Sequence, residues 1–366
     1  MAPGRYLNGV GGGLAEYRAG SVNFGTGLAV SGTTSNWVTG AVLFGGLVNL
    51  PNFELLGGSL GGTFTNAGTL RWTGGYLGGS GTISIATNGL LWLEGAAEKQ
   101  LAGVVLENYG RVVWGGSGRI MCNVTWGGWA TISNQAGGVF EVATDAALQA
   151  VSGSYPGTFT LENLGTVVKT GGAGTNVISG VVFNNRSLLE LQSGALRFGG
   201  NFAFLPGGVC SVVLGGITPG TQFSHVLVDG TATLAGNLAV RLINGFVPEV
   251  GATFRVLQAR TRNGTFDNTG LSYLSEGLGF LSLYDSSGLS IQVQRNVTAW
   301  PLGMQDGQFH LLVSGNVNST YAVQASGDMT SWTNLLITNL TVSSFEYVDP
   351  DTNAYPQRFY RVIPVN

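Results

Sequence analysis

The sequence predicts an all-β chain: a right-handed parallel β-helix, closed by a β-rich cap and followed by a small β-sandwich. Three observations carry this reading. A turn of the form Asn-x-Gly, followed by a short strand of alternating apolar residues, recurs along the first half. Its period is a few tens of residues, the signature of a solenoid. Charged residues are only 10% of the chain and Gly is 61 of 366, with hydrophobic residues at 44%. That composition excludes disorder as the main state.

The repeat is clearest in Phe64-Thr-Asn-Ala-Gly-Thr-Leu-Arg-Trp72. It returns in Ala86–Leu93, Leu106–Trp114, Ile132–Val142, Leu161–Val168 and Phe183–Leu191. The turn asparagines are Asn66, Asn88, Asn108, Asn134, Asn163 and Asn185, spaced 22, 20, 26, 29 and 22 residues apart. Asn and Gly tolerate positive φ, so each Asn-x-Gly is expected to turn the backbone sharply. After the turn, alternate residues share a face. This sends Leu70 with Trp72, Leu91 with Leu93, Val112 with Trp114, Phe140 with Val142 and Leu189 with Leu191 inward. Arg71, Trp92, Val113, Glu141 and Glu190 then point outward. One coil cannot bury its apolar face alone, whereas stacked coils bury it in a continuous core. The crossover rule for parallel strands gives the right-handed sense. Lys169 falls at an inward position, and the strand is expected to end before it, leaving the ammonium near solvent.

Residues 1–215 read as the solenoid, 216–294 as its cap and 303–366 as the sandwich. The chain opens in repeat-like sequence, Leu7-Asn-Gly-Val-Gly-Gly-Gly13, without an apolar stretch after Arg5. Further coils and an export signal are therefore expected upstream. The net charge of −3 leaves no electrostatic footprint for nucleic acid. No run of 18 apolar residues occurs, so no transmembrane helix is expected. Cys122 and Cys210 lack metal-ligand spacing and read as buried free thiols, a disulfide between them being the alternative. Sequons stand at Asn123, Asn185, Asn263, Asn296, Asn318 and Asn339.

Past Gly200 the phase changes. Asp229-Gly-Thr-Ala-Thr-Leu-Ala-Gly236, Asn244-Gly-Phe246 and Gly251-x-Thr-Phe-x-Val-Leu257 resemble the segment that closes the β-helix in exported bacterial repeat proteins, autotransporter-like passengers among them. Asn163-Leu-Gly-Thr-Val-Val-Lys-Thr-Gly-Gly172 and Phe183-Asn-Asn185 are similar to coils of the same group. The resemblance covers about residues 45–293 and implies a surface or secreted structural or adhesive protein.

Arg295-Asn-Val-Thr-Ala-Trp-Pro-Leu-Gly303 has no alternation and reads as a linker. Strands then follow at Phe309–Val313, Thr320–Gln324, Leu335–Ile337, Phe345–Val348 and Arg358–Ile363. Tyr321-Ala-Val-Gln-Ala-Ser326, Ser331-Trp332, Asp349-Pro-Asp351 and Tyr355-Pro-Gln-Arg-Phe-Tyr-Arg361 resemble a fibronectin-III- or immunoglobulin-like module appended to exported bacterial proteins.

A β-helix enzyme acting on polysaccharide needs paired carboxylates, or an acid cluster for calcium beside a base. Between residues 60 and 210 the acids are Glu94, Glu98, Glu107, Glu141, Asp145, Glu162 and Glu190. Glu107 and Glu162 share a phase but fall two coils apart, roughly 10 Å. His225 and His310 lack a partner motif and read as strand residues with a satisfied ring nitrogen. Asp349-Pro-Asp-Thr-Asn353 has calcium-like alternation but lacks the later Gly and Glu of an EF-hand, and reads as an acidic turn. Trp300, Trp332, Tyr321 and Tyr355 are the residues able to stack on sugars, with Trp332 and Tyr321 expected in the core. The expectation is thus a non-catalytic, extracellular or cell-surface protein without cofactor or metal. Its expected partners are extracellular polysaccharide or cell-surface components. The alternative is a carbohydrate-binding or polysaccharide-degrading β-helix.

Overall fold

The structure, a computed structural model, describes residues 13–24, 28–29, 33–123, 128–151, 157–267, 278–295, 297–315, 317–318, 320–342 and 344–365. The sequon Asn296 lies outside these residues, as does the side chain of Asn123. The described chain is all-β, its one helical element being the 3₁₀ turn Thr352–Ala354. It forms two compact units. The larger draws on Met1–Val247, Phe254–Thr269 and Leu283–Ser290, the smaller on Pro248–Thr253, Gly270–Ser282 and Ile291–Asn366.

A 29-stranded, parallel-dominated sheet organises the larger unit. From Thr82 to Ser179 each strand pairs with the strand three before it and the strand three after. Val104–Asn108 lies between Thr82–Ile85 and Trp129–Asn134. Arg111–Trp114 lies between Leu90–Leu93 and Val139–Val142. Lys99–Ala102 lies between Tyr76–Gly78 and Ile120–Asn123. Three strands therefore make one rung with three faces, an arrangement compatible with a β-helix. The stacking runs beyond residue 215, since Val209–Leu214 pairs in parallel with Asn237–Leu242 and His225–Leu234 with Thr253–Gly264.

The alternation read from the sequence holds on the second face. Leu70, Trp72, Leu91, Leu93, Val112, Trp114, Phe140, Val142, Leu189 and Leu191 are all buried. Arg71 and Trp92 are exposed, and Val113, Glu141 and Glu190 are half-buried. Trp72 and Trp114 are each 1% exposed against 39% for Trp92. Cys122 and Cys210 are buried and free, and burial pushes their thiols up to about 11 and about 12.

The corner between the first and second faces corrects the reading of the turns. Asn66, Asn108, Asn134, Asn163 and Asn185 have ordinary negative φ, as do Gly68, Gly110 and Gly165. The asparagines are buried strand ends. Asn108 Nδ2 donates to Asn134 Oδ1 at 2.7 Å, Asn134 Nδ2 to Asn163 Oδ1 at 2.8 Å, and Asn163 Nδ2 to Asn185 Oδ1 at 2.7 Å. The Gly110 and Gly165 N–H groups donate to Asn108 and Asn163 Oδ1, both at 3.2 Å, closing each corner locally. Glycine is needed there for close stacking: a Cβ at Gly110 would strike the carbonyl oxygens of Ala86 and Gly89 on the rung below. Asn88 is not part of this column. It is exposed, and Ile85 holds the register position between Asn66 and Asn108. The Oδ1 of Asn66 is buried without a partner.

The corner between the second and third faces is filled differently. Polar tips of inward side chains bond the loop carbonyls: Trp72 Nε1 to Gly75 O at 3.2 Å and Trp114 Nε1 to Gly118 O at 3.0 Å. Lys169 joins this set, contrary to expectation. Its strand, Thr166–Lys169, runs through it, and its side chain is 2% exposed. The ammonium reaches Gly171 O at 2.7 Å, Asp145 Oδ1 at 2.9 Å and Thr144 O at 3.2 Å. Three oxygen acceptors replace the water that the ammonium loses on burial. Lys99, on the same row of the fold as inward Leu101, is likewise buried, and its Nζ donates to Ala97 O.

The smaller unit contains two antiparallel three-stranded sheets. Gln308–Ser314 lies between Thr298–Gln305 and Ser344–Asp349, and Thr320–Ser326 lies between Thr333–Asn339 and Phe359–Pro364. Leu311, Val313 and Val323 from both sheets pack with Phe309, Leu336, Phe345, Tyr347, Tyr360 and Val362. The expected linker is mostly the edge strand Thr298–Gln305, with a register shift between Pro301 and Gly303. An edge strand tolerates Pro, and its exposure on both faces removes the alternation that would have marked it.

Burial of the aromatic rings sets the first test. Trp72→Ala or Trp114→Ala should cost roughly 3–5 kcal/mol, and Trp92→Ala much less. Denaturant midpoints that fell equally for all three would show the inward phase to be misassigned. A second test concerns Lys169. Asp145→Ala removes one charged partner of the ammonium and should cost about 2 kcal/mol. Lys169→Met, which continues the apolar row between Val142 and Leu191, should be near neutral by the same measurement.

Candidate binding surface and cleft

The outer wall of the larger unit is built by outward residues of successive rungs, brought within one strand spacing by the parallel register. Its acids have cross-rung partners. Glu94 pairs with Arg71 at 2.5 Å, Glu98 with Arg119, and Glu141 with Arg111. Glu190 pairs with Arg241 at 2.6 Å, and Asp145 with Lys169. Glu107 accepts from Ser84 Oγ at 3.0 Å, and Glu162 accepts from Asn184 with Arg186 nearby at 3.9 Å. All seven carboxylates between residues 60 and 210 are thus engaged. Glu107 and Glu162 stand two rungs apart, as expected, with Ser133 in register between them. Burial pushes the Glu141 carboxyl up, but the Arg111 guanidinium and the Thr170 hydroxyl together hold it below the usual range.

The histidines separate. His310 Nδ1 meets the Glu346 carboxylate. His225 lies in the strand His225–Leu234, but its Nε2 is buried without a partner, which corrects the expectation of a satisfied ring. Burial, then the Arg255 charge, lower its pKa.

In the smaller unit, the acidic turn is not open for a cation. Asp349 is 1% exposed and accepts from Tyr360 Oη at 2.7 Å and from the Asp351 N–H at 3.1 Å. The Arg358 guanidinium lies 2.8 Å from it, an ion pair without hydrogen-bond alignment. Among the described residues no cluster of three metal-ligating side chains occurs. Of the four stacking candidates, Tyr321 is buried and Trp332 half-buried under the Arg361 guanidinium at 4.1 Å. Tyr355 carries Arg358 over its ring at 4.3 Å. Trp300 is the open one, 68% exposed. The sequence reading did not single out Trp129 of the larger unit, also exposed.

A cleft of about 320 Å³ opens at the corner between the second and third faces, where the segment Gly215–Ser224 lengthens. The turn Gln192-Ser193-Gly194, the excursion from Gly215 to Ser224 and the turn at Ile243-Asn244 line it. The excursion folds back on itself through Gly215 N–H to Gln222 O at 2.7 Å and Ser224 N–H to Val213 O at 3.0 Å. Gln222 Oε1 accepts from the Ile217 and Thr218 N–H groups at 3.1 and 3.0 Å, which fixes the side-chain amide. The Ser193 hydroxyl is buried without a partner, at a cost of about 1–3 kcal/mol. Val213 and Phe223 supply the apolar part. Among the described residues no charged side chain lines the cleft. The sequence signal for it was the fading of the repeat phase after Gly200, which marks where loops replace tight corners.

No protein-family model matches this chain, and no curated protein matches it. Among the described residues no helix is long and apolar enough to cross a membrane.

His225 gives a test of the site's electrostatics. Its folded pKa lies below the ordinary 6.5, so the unfolded chain binds more protons in the window between the two. Its contribution to stability is complete above about 6.5 and is lost as pH falls through that window. Denaturation midpoints of the native chain should drop on acidification from pH 8 to pH 5 more than those of His225→Gln. Parallel curves would remove His225 as a source of the pH dependence.

Proposed function

We propose that this chain is a right-handed parallel β-helix with a terminal fibronectin-III- or immunoglobulin-like sandwich, exported to the cell surface or medium and serving structure or adhesion without catalysis. The group it belongs to by this reading is the exported bacterial repeat proteins, autotransporter-passenger- and adhesin-like. The observation that carries the proposal is the engagement of every carboxylate between residues 60 and 210 by a residue of another rung. A glycosidase needs one carboxyl protonated and one free as base or nucleophile across a scissile bond. A carboxylate already occupied by a cation or hydroxyl of another rung is not set out as a free pair across a substrate. Surface ion pairs of this kind add little stability individually, but they keep a long wall polar and its charges balanced. Low charge with exposed Ser, Thr and Asn suits contact with neutral surfaces more than with polyanions.

The alternative reading, a polysaccharide-degrading β-helix, is tested by the same experiment. The chain is applied to a polysaccharide array, and the supernatants are chromatographed for products. Retention on a polysaccharide without release of shortened products is the expected result. Shortened products would overturn the non-catalytic reading. An experimentally determined structure should show right-handed coiling, since a parallel crossover packs back on its sheet in that sense.

A further inference from the structure

The structure points to the cleft at residues 192–194, 215–224 and 243–244 as a binding site, and we propose that its ligand is a neutral sugar ring. The inference deepens the adhesive reading by naming a ligand class and a place, and it rests on that reading only for its biological setting.

The cleft occurs where its corner lengthens. On earlier rungs, Trp72, Trp114 and Lys169 reach across the corner and bond the loop carbonyls. The positions in register beyond Lys169 are Leu191 and then Val212, neither with a polar tip. After Leu214 the corner runs out into the long segment Gly215–Ser224, which walls the cleft.

The lining then selects the ligand. Gln192, Ser193, Thr221, Gln222 and Asn244 offer amides and hydroxyls, while Phe223 offers an apolar surface. Without a charged side chain the cleft has nothing to compensate a phosphate, a carboxylate or an ammonium, each of which loses hydration on entry. A pyranose suits it, because its hydroxyls exchange hydrogen bonds with amides and its C–H face packs on apolar groups. About 320 Å³ is at the small end of ligand sites, which run from about 300 to 1,000 Å³. That space suits one ring or the end of a chain. One group is prepared for it: the Gln222 amide is fixed by the loop's own N–H groups. Fixing a polar group before binding lowers the ordering cost of association.

The test is titration calorimetry of the full chain with glucose, galactose, mannose and their disaccharides, with glucuronate as the anionic comparison. One neutral sugar should bind saturably, and glucuronate at least tenfold more weakly. Gln192→Ala should weaken binding about tenfold, and Thr221→Trp, which fills the mouth, should abolish it. Both positions are exposed, so the denaturation midpoint should stay unchanged in both variants. No saturable binding by any neutral sugar, equal binding of glucuronate, or undiminished binding in both variants would each overturn the site. Retention on polysaccharide-coated beads separates the two proposals. Variants that bind no sugar in solution yet stay on the beads leave adhesion to another surface. A native chain that binds the free sugar but passes through the beads removes the adhesive reading and leaves the cleft.

Discussion

The column of asparagine side chains at the first corner is the interaction on which the order of the stack depends. Asn108, Asn134, Asn163 and Asn185 form a chain of amide bonds perpendicular to the strands. Hydrophobic burial supplies more of the stabilising energy, at roughly 25 cal/mol per Å² of apolar surface, but it is tolerant of slippage. Leu, Val and Phe rows pack against several neighbours almost equally well. A buried amide is not tolerant, because leaving it unmade costs about 1–3 kcal/mol while making it gains less. That asymmetry fixes register. The linked asparagines are 26, 29 and 22 residues apart in sequence, yet the side-chain bonds differ by only 0.1 Å. Extra residues are therefore absorbed elsewhere in the rung.

Between Asn108 and Asn185 they are not absorbed at the second corner, whose segments 115–119, 143–147 and 170–174 are each five residues long. There, inward Trp and Lys side chains bond the loop carbonyls. Lys169 is the longest such reach, bonding Thr144 O and Asp145 on one rung and Gly171 O on its own. After Leu214 the corner lengthens into the excursion at 215–224 and the cleft forms. A rigid corner and a permissive corner on the same coil thus divide the work. One holds the scaffold, and the other presents variable surface, a division common where rigid elements carry functional loops.

Much of this was legible in the sequence because period-two alternation survives in short strands. It placed Trp72 and Trp114 inside and Trp92 outside, and it placed Glu107 and Glu162 two rungs apart. The role of Asn was legible only in part. Asn-x-Gly marks a corner, but the residues do not say whether the asparagine serves through backbone φ or through its side chain. Asn88 shares the sequence pattern because it precedes a Gly, whereas the register position belongs to Ile85. Lys169 failed for a different reason. Its partners, Asp145 and the Thr144 carbonyl, lie a full rung away in sequence, where no local pattern reveals them. The edge strand Thr298–Gln305 gave no alternation because neither face is covered. The cleft had only a negative signal, loss of phase, since its lining comes from three separate rungs.

The central claim is that buried side-chain amides, and not turn propensity, set the register. The direct measurement is equilibrium unfolding of Asn134→Ala beside Asn88→Ala. Asn134 bonds Asn108 on one side and Asn163 on the other, so its loss should lower stability by about 2–3 kcal/mol. Asn88 is exposed in the same kind of sequence, so its loss should stay within about 0.5 kcal/mol. Equal and small losses, or a larger loss at Asn88, would contradict the account and return the asparagines to the role of turn formers.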